Sequence, residues 1–111
     1  MNKYIYDNCD LIKISDFDSI TFECVGTDLV IVALKVGNEK DDTGKLLLEE
    51  VDIDFKYTLE NYINNGDIKK NAEQLVEELF EEFINFIDSD KSVFRITDNL
   101  ESLITEYQPW V

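Results

Sequence analysis

The sequence predicts an α+β fold: a mainly antiparallel sheet of four to five strands, with one long amphipathic helix and one or two short helices packed on one face, in a single domain over residues 1–111. Three observations carry the prediction. Strand-like runs fill residues 20–57, a stripe of helical period runs from Leu75 to Ile87, and a short strand and a last helix follow. With four glycines and one proline, no linker, repeat or low-complexity segment divides the chain.

Taken in order, Lys3–Tyr6 and Leu11–Ile14 give one further strand or an irregular lead-in. Ile20–Val25 alternates Ile20, Phe22 and Cys24 against Thr21, Glu23 and Val25, the pattern of a half-buried strand, and Gly26-Thr27-Asp28 supplies a turn. Leu29–Val36 is apolar on both faces, as in a central strand covered on both sides. Gly37–Gly44 is polar and bracketed by glycines, so it reads as a projecting loop. Lys45–Tyr57 is long for one strand, and its apolar parity shifts from Leu46 and Leu48 to Val51, Ile53 and Phe55; a β-bulge near Glu49-Glu50 reconciles the halves.

Thr58–Asn65 reads as a short helix or pair of turns stopped by Gly66. Asn71 then caps the long helix with Gln74 as its capping-box partner, and Leu75, Val76, Leu79, Phe80, Phe83, Ile84 and Ile87 form the stripe that must meet the sheet. Ser89–Ser92 ends the helix, Val93–Thr97 returns as a strand, and Asp98 with Glu101 opens a last helix through Tyr107, before Pro109.

Charge narrows the function. Twenty-five Asp and Glu against ten Lys and Arg, with no His, give a formal net charge of −15 and a pI near 4.1. Nucleic acids and anionic membranes are held through Lys and Arg, so direct binding to either is disfavoured and a basic protein partner is favoured. A hydrophobic content of 44% with 12% aromatics separates the chain from disordered acidic tails. The start lacks the basic and apolar regions of a secretory signal, no run reaches membrane-spanning length, and Cys9 and Cys24 are the only cysteines; the expectation is a cytoplasmic protein with reduced thiols.

Without His, serine-histidine, cysteine-histidine and zinc-histidine chemistries are excluded. Cys24 shares a face with Ile20 and Phe22 and reads as a small core residue, whereas Cys9 stands in a polar stretch. No phosphate-binding glycine loop occurs, and carboxylate pairs among 25 acids arise by chance, so the chain reads as a non-enzyme without cofactor or metal. Glu39, Asp41, Thr43, Gly44 and Glu50 fall at positions 1, 3, 5, 6 and 12 of an EF-hand frame, but position 1 is Glu, position 9 is Leu47 and the flanks are strand-like, which makes chance the better account.

Two acidic surfaces stand out. In an extended EEVDIDFKY, Glu50, Asp52 and Asp54 share the side opposite Val51, Ile53, Phe55 and Tyr57. On the long helix Glu77, Glu78, Glu81 and Glu82 lie opposite the apolar stripe. A solvated face is the ordinary reading of such a run, yet like-charged i,i+4 pairs cost a few tenths of a kcal/mol each, which favours a use for them. Alternate strand residues stand roughly 6.8 Å apart and i,i+4 helix residues roughly 6 Å, near the phosphate spacing of a nucleic-acid strand.

The expected function is an acidic inhibitor of a basic partner, an immunity protein that neutralises a cognate bacterial toxin, most simply a nuclease. The alternative is a phage or plasmid anti-defence protein that mimics DNA against a restriction or RNA-guided nuclease. A small enzyme or calcium-binding module comes third. The candidate contact residues are Glu39, Asp41 and Asp42 in the loop, Glu50, Asp52 and Asp54 on the strand, Glu77, Glu78, Glu81 and Glu82 on the helix, and Tyr57, Tyr62, Tyr107 and Trp110 as aromatic anchors.

Overall fold

The computed structural model describes residues 2–60 and 68–106. The expected turn of helix at 58–65 with its Gly66 stop, and Tyr62, Tyr107, Pro109 and Trp110, lie wholly or partly outside the described residues. The fold is α+β, and the described residues form seven strands, more than the four or five expected, in two sheets instead of one. β1 (Tyr4–Tyr6), β2 (Leu11–Lys13) and β7 (Val93–Arg95) form a small sheet in the order β2-β1-β7; β3 (Ser19–Val25), β4 (Asp28–Lys40), β5 (Leu46–Val51) and β6 (Lys56–Thr58) form the larger one. Among the described residues the α-helices are α1 (Ile68–Ile87) and α2 (Ile96–Glu106).

The lead-in is thus a hairpin with a role. β1 pairs antiparallel with β2 and parallel with β7, so the first and last strands of the chain lie side by side. Asp7 closes the hairpin by accepting, through Oδ1, the backbone N–H groups of Cys9 and Asp10 at 2.9 and 2.7 Å, while Asn8 takes the left-handed conformation.

In the large sheet the alternation in β3 directs Phe22 inward, with Ile20 and Cys24 on the same face. The two-residue turn to β4 places Gly26 at φ 65°, the first position of a type II′ turn, which only Gly occupies without strain. β4 is the spine: β3 runs along one edge, and β5 and β6 follow each other along the other.

β4 continues through Lys40, so most of the expected loop is strand. The hairpin then turns over a few residues, with Gly44 at φ 86° and its N–H donated to the Asp41 carbonyl at 3.0 Å. The register between β4 and β5 slips between Val36 and Lys40, and the Glu49 side chain lies over Gly37 where any Cβ would collide with it.

The irregularity expected at Glu49-Glu50 falls later. Both residues pair regularly in β5, and the break lies between Val51, opposite Ala33, and Lys56, opposite Val30. Four residues therefore span two of β4, with a tight turn in which Phe55 N–H donates to the Ile53 carbonyl at 2.8 Å. Despite the break, burial keeps the parity read from the sequence: Val51, Ile53, Phe55 and Tyr57 are half-buried, and Asp52, Asp54 and Lys56 are exposed.

α1 begins at Ile68, three residues before Asn71, and lies across β3. Its buried face is Ala72, Leu75, Val76, Leu79, Phe83 and Phe86. Ile84 was expected in that stripe but is 45% exposed, with Phe86 taking the inward place. Phe83 is the hub, its ring 5.0 Å from Phe22 of the large sheet and 5.3 Å from Phe94 of the small one. α2 begins directly after β7 and adds Ile96, Leu100 and Leu103 to the core.

No basic residue lies in the last turn of α1, yet its C-terminus is capped. Lys3 Nζ donates to the carbonyls of Phe86, Ser89 and Lys91 at 3.2, 2.8 and 2.5 Å and stands 4.6 Å from the centre of the Phe86 ring. A cation at the negative end of a helix, with charge-assisted bonds to carbonyls in and just beyond its last turn, ties Lys3 to the helix end. Lys3→Met is expected to cost about 1–3 kcal/mol, read as a fall in the urea midpoint with an unchanged slope.

Candidate acidic interface

The acidic side chains gather in three places. The first is a groove of about 340 Å³ between the small sheet and the break after β5. Asp52 and Asp54 line it with Asp7, Asp10 and Asp16, and among the described residues Lys13 is the one cation in the lining; Leu11, Ile12, Phe17, Val51 and Ile53 supply apolar surface. Five carboxylates on an open recess with apolar walls suit Lys or Arg side chains, whose stems are apolar and whose heads are charged.

Asp7, Asp10 and Asp16 are the residues that sequence reasoning missed. The Asp-x-x-Asp turn at 7–10 was visible, but nothing local links it to a segment forty-odd positions later. Glu50 does not join this groove. It pairs with Leu34 and, by the alternation of β5, faces the side of the sheet opposite Val51. The row Glu50, Asp52, Asp54 is therefore divided between two surfaces by the break in the strand.

The second place is the seam between α1 and β3, where Glu73, Glu77 and Glu81 of the helix meet Glu23 of the strand over Phe22 and Phe80. Here too the expected ridge is split. Glu82 turns to the other side of the helix, where it lines a cleft with Lys91 and Arg95, and Glu78 is half-buried.

The hairpin tip is the third. Glu39 and Asp42 are exposed, but the Asp41 carboxylate is committed to the turn: its Oδ1 accepts from Thr43 Oγ1 at 2.6 Å, Thr43 N–H at 2.8 Å and Lys45 N–H at 3.0 Å. The Thr43 hydroxyl first, and the backbone N–H of Lys45 next, hold its pKa below the ordinary 3.8. A lowered acid stabilises the turn above its unfolded pKa and loses that contribution as pH falls through the folded value. The Thr43 and Lys45 amide resonances are expected to move together in an acid titration with a midpoint below 3.8.

The EF-hand frame is dispersed across this hairpin, with Glu39 on β4, Asp41 in the turn and Glu50 on β5. Among the described residues no three His, Cys, Asp or Glu side chains group to hold a metal ion. Tyr57 stands opposite Leu29 and packs against the core, half-buried; Trp110 lies outside the described residues. No disulfide joins the two cysteines; Cys9 is exposed, and Cys24 is half-buried at the edge of the core, its thiol donating to the Gly26 carbonyl at 3.4 Å. No helix among the described residues is long and apolar enough to cross a membrane.

No family model, curated protein or solved structure matches the chain.

Proposed function

We propose that the chain is an acidic inhibitor that occupies a basic surface of a partner protein, as an immunity protein that neutralises a cognate bacterial toxin, with a nuclease as the expected toxin. The observation that carries this reading is the groove in which Asp52 and Asp54 meet Asp7, Asp10 and Asp16, with Lys13 as the one cation among the described lining residues. A nuclease presents Lys and Arg to bind phosphates, and the same side chains are the complement of such a groove. Binding fits these carboxylates better than catalysis, because Asp52 and Asp54 are exposed to water and the chain has no His to share proton transfer.

Mimicry of DNA asks for a regular ladder of carboxylates. The strand row is cut by the break at 52–55 and the helical ridge is divided between two sides of α1, which favours groove-centred recognition over phosphate imitation. The test is a pull-down from the native host at low salt, eluted with rising salt. A basic nuclease that the chain also inhibits in a purified cleavage assay supports the reading; an acidic partner, or binding indifferent to salt, defeats it.

A further inference from the structure

The large sheet has two faces, and the core uses one. From β4, Leu29 and Ile31 enter the core cluster, and Ala33 is fully buried on the same side. Val30, Val32, Leu34 and Val36 point the other way, and none of them belongs to the cluster or packs against it. A central strand apolar on both faces led to the expectation of cover on both sides; among the described residues the helices and the small sheet gather on one.

Cross-strand pairing extends this apolar stripe into the projecting hairpin. Leu48 stands opposite Val36, and Leu46 shares its side of β5; Val36, Leu46 and Leu48 are 44, 50 and 52% exposed. On β4 the apolar residues of this face span Val30 to Val36, roughly 20 Å, and Leu48 and Leu46 of β5 carry the row on to the level of Lys40. Scattered exposed apolar residues are ordinary, but a continuous row on a sheet face marks a contact surface.

Charge states what covers it. Glu23, opposite Val30 on β3, and Glu50, opposite Leu34 on β5, flank the stripe on both sides, one strand spacing or roughly 4.8 Å away. Among the described residues two cations share this face: Lys56, drawn to Asp28 at 3.5 Å, and Lys40, which stands opposite Leu46 at the far end of the row. A second copy would bring together chains that each carry a net charge of −15, which opposes self-association. Glu23 also borders the acidic seam with α1, so the face is continuous with one of the acidic surfaces described above.

We propose that this outer face receives an amphipathic helix of a basic partner protein, laid along β4 with its apolar stripe on Val32, Leu34, Val36 and Leu48 and flanking Lys or Arg residues on Glu23 and Glu50. A helix already covers the opposite face of the same sheet, and a helix bearing basic residues on either side of an apolar stripe matches both the row and its rims. The inference rests on the reading of the chain as a binder of a basic protein, and it adds where the apolar part of that contact lies.

Fluorescence anisotropy with three labelled peptides tests it: a Leu/Lys peptide with apolar residues at i, i+3, i+4 and i+7, a scrambled peptide of the same composition, and an oligolysine of the same charge. The full chain is expected to bind the amphipathic peptide about tenfold or more tightly than the scrambled one. Val36→Gln with Leu48→Gln should abolish that preference and leave oligolysine binding unchanged. Ile84→Gln, which alters an exposed apolar residue on α1, should preserve it.

Equal binding of the amphipathic and scrambled peptides, or a preference that survives the paired substitution, would overturn the inference and leave the charge reading intact. Failure of oligolysine to bind at low salt would instead remove the charge reading on which it rests. Two further results would overturn it by naming another occupant: a dimer at micromolar concentration that the pair abolishes, and a fall of several degrees in melting temperature in the pair, which would mean that the chain covers the face itself.

Discussion

Phe83→Ala is expected to lower the unfolding free energy by about 3–5 kcal/mol, the largest single effect in the molecule. The ring is 3% exposed and meets Phe22, Phe80, Phe86 and Phe94 with centroids 5.0, 6.0, 6.2 and 5.3 Å away. Those rings come from β3, α1 and β7, so the cavity opens where both sheets meet the long helix and no one element can close it. A domain of this size is stable by about 5–15 kcal/mol in all, and the melting temperature should fall by roughly 15 °C or more. Ile84→Ala, one residue along the same helix, is the control, expected to cost less than about 1 kcal/mol because Ile84 is 45% exposed. A urea titration in which the two substitutions cost the same would show that Phe83 is not the hub.

Reversal of charge at Asp52 and Asp54 to Lys is expected to slow association with the cognate partner by about tenfold or more at low salt and to flatten the dependence of that rate on salt. Both residues are exposed and line the acidic groove, so the fold should change by no more than about 0.5 kcal/mol. Stopped-flow mixing at two ionic strengths reads both quantities. Glu82→Lys, on the far side of α1 beside Lys91 and Arg95, separates local from global charge. Were an unchanged on-rate found for the Asp52 and Asp54 pair, the groove would not be the surface that steers the partner. If Glu82→Lys slowed association equally, net charge rather than the groove would be the cause.

The elements differ in how far local chemistry declares them. β3 and its turn were legible because alternation and a turn glycine are properties of adjacent residues. So was the inward side of 51–57, where burial follows the parity of Val51, Ile53, Phe55 and Tyr57 through an interrupted strand. The break itself was not legible, because it depends on where β4 offers pairing partners to β5 and β6. Ile84 and Phe86 exchanged roles for a related reason: spacing admits either, and the position of Phe94 beside the helix selects the ring. The turn at Gly37 was misplaced because its polar residues read as loop, while backbone pairing carried β4 on to Lys40.

For the candidate site, the chain alone determined the sign of the charge, the absence of histidine chemistry and the outward side of Asp52 and Asp54. These follow from residue type and from the two-residue period of an extended backbone. Only the tertiary structure decided that Asp7, Asp10 and Asp16 join them, that Glu50 and Glu82 do not, and that among the described residues the core cluster gathers on one face of β4. The parallel pairing of β1 with β7 shows the reason most simply: it joins Tyr4 to Val93, and such contacts arise from the closure of the whole chain, which no local window of sequence contains.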